Sequence, residues 1–121
     1  MSRISFGKFA IVGLLLMVFG SLSQPTFAQS KKDRQRAEQL IREADKAYDQ
    51  RNYRAAVTSY AQALGTLPND GEARFRKGKA HLFLEEYAQA ATELDLALKN
   101  GQKPLDIARV RRNAERMSDV A

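Results

Sequence analysis

From residue 32 onward, apolar residues recur at spacings of three and four, the period of a helix with one buried face. Ala37, Leu40, Ile41, Ala44, Ala47 and Tyr48 make one such stripe and predict a helix over about 32–50. Arg51-Asn52 then interrupts it. Ala56, Tyr60, Ala63 and Leu64 fall at i, i+4, i+7 and i+8 and predict a second helix over about 53–67. Pro68-Asn69-Asp70-Gly71 is a stop-and-turn signal in which Asp70 suits a helix N-cap. A third helix over about 71–84 carries Ala73, Phe75, Gly78, Ala80, Leu82 and Phe83, and a fourth over about 87–99 carries Ala90, Ala91, Leu94, Ala97 and Leu98. Asn100-Gly101 suits a left-handed C-cap, and Pro104 is tolerated in the first turn of a last helix over about 104–119. That helix sets the stripe Ile107, Val110, Ala114 and Met117 against an arginine-rich opposite side. No stretch alternates apolar and polar residues as a half-buried strand does, so the fold class is all-α.

The pattern also repeats. Tyr53 returns as Tyr87, Ala56 as Ala90, Thr58 as Thr92, Ala63 as Ala97, Leu64 as Leu98, Glu38 as Glu72 and Arg42 as Arg76, each 34 residues on. A fixed period of that size marks a helical-hairpin array, in which each unit needs a neighbour to bury its apolar face.

The N-terminus obeys a different rule. Arg3 and Lys8 precede a charge-free apolar run over residues 9–22, and Thr26-Phe27-Ala28 closes on a small residue. This is the layout of a secretory signal peptide over residues 1–28, with cleavage expected after Ala28. The run of 14 residues is short for a membrane span of about 20; an uncleaved inner-membrane anchor formed by residues 9–22 is the alternative. Without the segment, the formal net charge falls from +6 to +4 with the loss of Arg3 and Lys8. The organisation expected is therefore a signal peptide (1–28), a polar linker (29–36) and a helical domain (37–121). That domain holds repeats over about 37–70 and 71–104 and a capping helix over about 104–119. The expected location is the bacterial periplasm or the exterior.

Composition narrows the chemistry. The chain has no Cys and a single His, His81, which leaves no thiol chemistry and no Cys-based zinc site. His81 stands among apolar residues and is expected to be packed and hydrogen-bonded. Glu85-Glu86 sits in a turn and is expected to be solvated. No Gly-rich phosphate loop and no metal-ligand cluster is present, so no enzyme activity, cofactor or metal is expected. Nucleic acid is not an expected partner of an exported protein.

The spacing resembles the tetratricopeptide repeat family over about residues 37–104. The matching positions are Ala44, Tyr53, Ala56, Tyr60, Ala63 and Pro68 in the first unit, and Gly78, Tyr87, Ala90, Leu94 and Ala97 in the second. Small residues at 44, 56, 78 and 90 allow close helix approach, while Tyr60 and Leu94 are expected to fill the core. The pattern departs at Glu43 and Lys77, where the family places a large residue, and at Gln102, which stands where Pro68 would recur.

The resemblance implies two hairpins plus a cap, with the first helix of each hairpin lining a concave groove for an extended peptide or a helix of another protein. Carried onto this chain, the lining is Glu38, Ile41, Asp45, Tyr48 and Asp49, then Glu72, Phe75, Lys79, Leu82 and Phe83. Phe75, Lys79 and Phe83 form one strip at i, i+4 and i+8; the alternative is that the two Phe are core. A basic surface is expected at Arg74, Arg76 and Lys77 and at Arg109, Arg112 and Arg116, the alternative being a solvated face. The function implied is an adaptor that helps to assemble an envelope complex. Self-association of the open solenoid edge, or service as a non-catalytic subunit of an envelope enzyme, are the alternatives.

Overall fold

The apolar stripes lie on five α-helices in the computed structural model, which describes residues 27–120: α1 (Phe27–Asp49), α2 (Tyr53–Thr66), α3 (Gly71–Phe83), α4 (Tyr87–Lys99) and α5 (Pro104–Val120). No strand occurs among the described residues. Helices α1 and α2 meet through Ala44, Asp45, Ala56 and Tyr60 as one hairpin; α3 and α4 form a second, and α5 packs against both of its helices. Residues 1–26, and with them the apolar run of the expected signal peptide, lie outside the described residues. Among those described, no helix is long and apolar enough to cross a membrane.

The helix expected from about residue 32 starts earlier, at Phe27, so the polar stretch 29–36 is helical throughout, part of α1. The physical reason is composition: Lys, Arg and Gln are good helix formers, the stretch lacks Gly and Pro, and Arg34 reaches Glu38 one turn on at 3.5 Å. From Ser30 to Arg36 every side chain is exposed.

Two clusters make the core. Ala44, Ala56, Tyr60, Leu64 and Ala73 form the first, flanked by Ile41, Ala47 and Tyr48. Leu94, Ala97 and Ile107 form the second, flanked by Phe75, Leu82 and Val110. Tyr60 and Leu94 are both fully buried, as the repeat register requires. Because Tyr60 lies under the second hairpin, its hydroxyl needs an internal partner, and it donates to Asp45. Burial, then that hydrogen bond, pushes the phenol well above its ordinary pKa.

Glycine governs two close approaches. At Gly78 a Cβ would lie 3.1 Å from Leu94, so the hairpin helices touch there, as the small residue implies. The tighter site is Gly71, where a Cβ would come within 2.4 Å of the Asn100 carbonyl oxygen at the end of α4.

Three of the four turns share one device. Asn52 N–H donates to the Ala47 carbonyl (2.8 Å), Glu86 N–H to His81 (2.9 Å) and Gln102 N–H to Ala97 (3.0 Å). Each closes a helix with the long-range bond of a Schellman motif. The residue before each donor is left-handed: Arg51 at φ 61°, Glu85 at φ 59° and Gly101 at φ 94°. Only the last is the glycine that this conformation favours. Arg51 and Glu85 stand one 34-residue period apart, so the backbone repeats where the side chains do not. After the first of these turns Asn52 caps α2, accepting from Ala55 N–H at 3.4 Å; α3 follows a turn with no left-handed residue and is capped by Asp70, accepting from Ala73 N–H at 3.0 Å.

Candidate interaction surface

Three helices, α1, α3 and α5, each contribute one face to a shallow groove. At the end of α1 stands Tyr48, and at the start of α2 Tyr53. Phe83 of α3 stacks on Tyr53, with ring centroids 4.4 Å apart, and meets Tyr48 edge-on at 6.3 Å. Phe83 remains half exposed. Between Tyr48 and α5 lies a cavity of about 180 Å³ lined by Tyr48, Lys79, Leu82, Phe83, Val110 and Met117, with Asn113 and Ala114 completing the wall.

Lys79 is the one cation in that lining. Its ammonium sits 4.7 Å from the centre of the Phe75 ring and 5.4 Å from that of Tyr48. Such contacts contribute about 0.5–2 kcal/mol as water is removed. Burial, then the nearby Arg76, lowers the Lys79 pKa. Burial, then Tyr53, raises that of the Tyr48 hydroxyl. Among the described residues no carboxylate forms an ion pair with Lys79. The site is thus an aromatic and apolar hollow with a positioned, part-desolvated cation at its floor, suited to a ligand that offers an apolar side chain and a carboxylate.

The ten positions of the expected groove do not all assemble. Tyr48, Lys79, Leu82 and Phe83 meet in the hollow. Phe75 packs on the Leu94–Ile107 cluster and reaches the groove only through Lys79. The choice between groove and core therefore splits: Phe83 is groove and Phe75 is mostly core. Asp45 is committed inward, bonded to Tyr60 and paired with Arg76 at 3.1 Å. Ile41 lines a different hollow, with Arg34, Glu38 and the Thr66–Asp70 turn. Glu72 pairs with Arg76 at 3.0 Å, and Asp49 is exposed at the end of α1.

The expected basic surface also divides, and half of it needs correcting. Arg74 and Lys77 both reach the buried carboxylate of Glu93, at 3.0 and 2.7 Å, and Arg76 pairs with Asp45 and Glu72. These three cations knit α3 to α4 and α1 rather than forming an open positive patch. Lys77 departs from the repeat pattern because it serves Glu93. Arg109, Arg112 and Arg116 are exposed, and among the described residues none forms an ion pair.

His81 is buried, with Nδ1 3.2 Å from Glu86 Oε1. Glu86 is not the freely solvated turn residue expected, because it also pairs with Arg54 of α2 at 3.1 Å. The hydrogen bond to His81 comes first among the contacts that lower its carboxyl pKa.

Glu93, Tyr53, Val110 and Asn113 went unmarked as site or network residues in the sequence. For Glu93 a signal existed: it stands at i+3 from Ala90 and i−4 from Ala97, a carboxylate on the stripe of α4 that faces α3. A family model described as tetratricopeptide repeat matches residues 41–106. No curated protein and no solved structure matches the chain.

Proposed function

Because the chain belongs to the tetratricopeptide repeat family, whose helical repeats bind other proteins, we propose that it is a periplasmic or secreted adaptor that helps to assemble an envelope complex. It holds a segment of another protein in the groove between α1, α3 and α5. The observation that carries this reading is Lys79, held between two aromatic rings beside the half-exposed Phe83, with no carboxylate among the described residues pairing it. A partner segment that places an acidic group on Lys79 and an apolar side chain against Phe83 and Met117 makes both contacts from a site already ordered. Pre-organisation of this kind lowers the cost of binding. The export part rests on the Arg3–Lys8, apolar-run and Ala28 layout. An anchor at 9–22 would keep the same groove at the inner membrane.

A photo-crosslinker at Asn113 tests the groove. In envelope extract it should give a discrete adduct that is weakened by Lys79→Glu and by Phe83→Ala. An adduct unchanged by both variants places binding elsewhere. N-terminal sequencing of the exported protein should begin at Gln29 or within a few residues; recovery of Met1-containing chain in the membrane fraction favours the anchor. Self-association has one observation in its favour: an apolar hollow of about 430 Å³ between α4 and α5, lined by Tyr87, Ala91, Leu94 and Ala114. A concentration-dependent molecular mass that Tyr87→Glu abolishes would support that second reading.

A further inference from the structure

The cap helix carries a second surface, separate from the groove. On a helix of 3.6 residues per turn, Leu105, Arg109, Arg112 and Arg116 fall at i, i+4, i+7 and i+11, within an arc of about 60°. The ridge is about 16 Å long at 1.5 Å rise per residue. It points away from the stripe of Ile107 and Ala114 that holds α5 to the array. Leu105 is 62% exposed, more than any other large apolar side chain among the described residues.

Neither folding nor helix electrostatics accounts for three arginines in one row. Asp106, Glu115 and Asp119 share the helix, yet none pairs with them; the ion pair that α5 makes to the array is Arg111 with Asp95. Arg109 lies mid-helix, outside the last turn where the helix dipole favours a cation. A helix packed in the register of the repeats would not cover the row either. Arg112 stands 34 residues after Gly78 and 68 after Ala44, in the slot that each repeat keeps small. At Gly78 even a Cβ would lie 3.1 Å from the packed Leu94, so a guanidinium in that slot blocks another helix from packing in the same way. Among the described residues the ridge is open.

We infer that this ridge docks an acidic helical segment of a partner protein. Running antiparallel to α5, the segment would match Arg116, Arg112 and Arg109 with carboxylates at i, i+4 and i+7, and Leu105 with an apolar residue at i+11. Guanidinium groups suit this role because their planar fork binds a carboxylate through two parallel hydrogen bonds. A bilayer of anionic lipid fits less well. It needs a broad basic face, whereas here one row is flanked by Asp106 on one side and Glu115 and Asp119 on the other, leaving the helix nearly neutral.

The test is an NMR titration of the 15N-labelled full chain in neutral detergent. The probe is a synthetic alanine-based helix with Glu at i, i+4 and i+7 and Leu at i+11, and its control is an isomer of equal charge with the Glu spread around the helix. Amide shifts should concentrate over Arg109–Arg116. Affinity should fall about two- to five-fold for each of Arg109→Gln, Arg112→Gln and Arg116→Gln, the range for exposed ion pairs. It should weaken as salt is raised and be unaltered by Lys79→Glu. Melting temperatures of the exposed-site variants should match the wild type. Equal binding of the isomer, shifts outside α5, or insensitivity to all three arginine variants would overturn the inference. So would a response of the ridge to micelles doped with phosphatidylglycerol that exceeds its response to the peptide.

Discussion

Glu93→Ala should be among the most damaging single changes in the array. The carboxylate is 7% exposed and holds two cations, Arg74 at 3.0 Å and Lys77 at 2.7 Å, whose side chains are only 17% and 15% exposed. Deleting it leaves two nearly buried charges without a counterion. Breaking a buried pair in this way costs about 3–5 kcal/mol. Two features pull the value toward the lower end: both cations keep a path to water, and Arg74 retains its bond to the Pro68 carbonyl at 3.1 Å. The expected loss is about 3 kcal/mol. A domain of this size loses about 4–8 °C per kcal/mol, so the melting temperature should fall by about 12–24 °C. Urea unfolding of the full chain followed by circular dichroism reads both the midpoint and the slope, and the slope should not change. A triple variant, Glu93→Leu with Arg74→Leu and Lys77→Leu, separates charge from packing. It removes the charges together and should recover most of the loss, because apolar replacement of a whole buried ion cluster is often neutral or stabilising. A loss below about 1 kcal/mol for Glu93→Ala would refute the reasoning. A triple variant as unstable as the single one would do the same.

The backbone supplies two further expectations. Gly71→Ala forces a Cβ to within 2.4 Å of a backbone oxygen of Asn100, so α3 and the end of α4 must separate; a loss of about 1–3 kcal/mol in chemical denaturation is expected, and full wild-type stability would show that the two ends move apart without cost. Glu85→Gly should stabilise, since a left-handed non-glycine residue costs about 1–2 kcal/mol and the added chain entropy returns about 0.5–1 kcal/mol of that. Arg51→Gly should behave alike, and the pair should add, as sites far apart do; a lowered melting temperature for either would mean that the side chain makes a stabilising contact.

Much of the architecture was legible in the chain. The second, third and fourth helices fall within a residue of their expected ends, because helix ends depend on local chemistry: Asp70 caps α3, Gly101 takes the left-handed position after α4, and Pro104 opens α5. The repeat of Tyr53 at Tyr87 and of Ala56 at Ala90 located the hairpins, and burial of Tyr60 and Leu94 bears the register out. Where local rules conflicted, the reading failed. The polar residues 29–31 carry no apolar period to extend the helix expected from about 32, although they are compatible with one, and α1 begins at Phe27.

What the chain could not reveal is which groups meet across helices. Phe75 and Phe83 sit on one helix face two turns apart, and nothing in their spacing separates them. Phe75 is covered because the second core, with Ile107 of α5, lies against it, while Phe83 projects past that cover onto Tyr53 and Tyr48. Arg74, Lys77, Arg109 and Arg112 look equivalent as letters, yet the first two face Glu93 and the last two face solvent. The sequence by itself determined the helices, their pairing and the family, since periodicity and caps act over a few residues. Charge pairing and groove shape were decided only by the tertiary structure, because a difference of a few ångströms in how two helices pack separates an ion pair from an exposed cation.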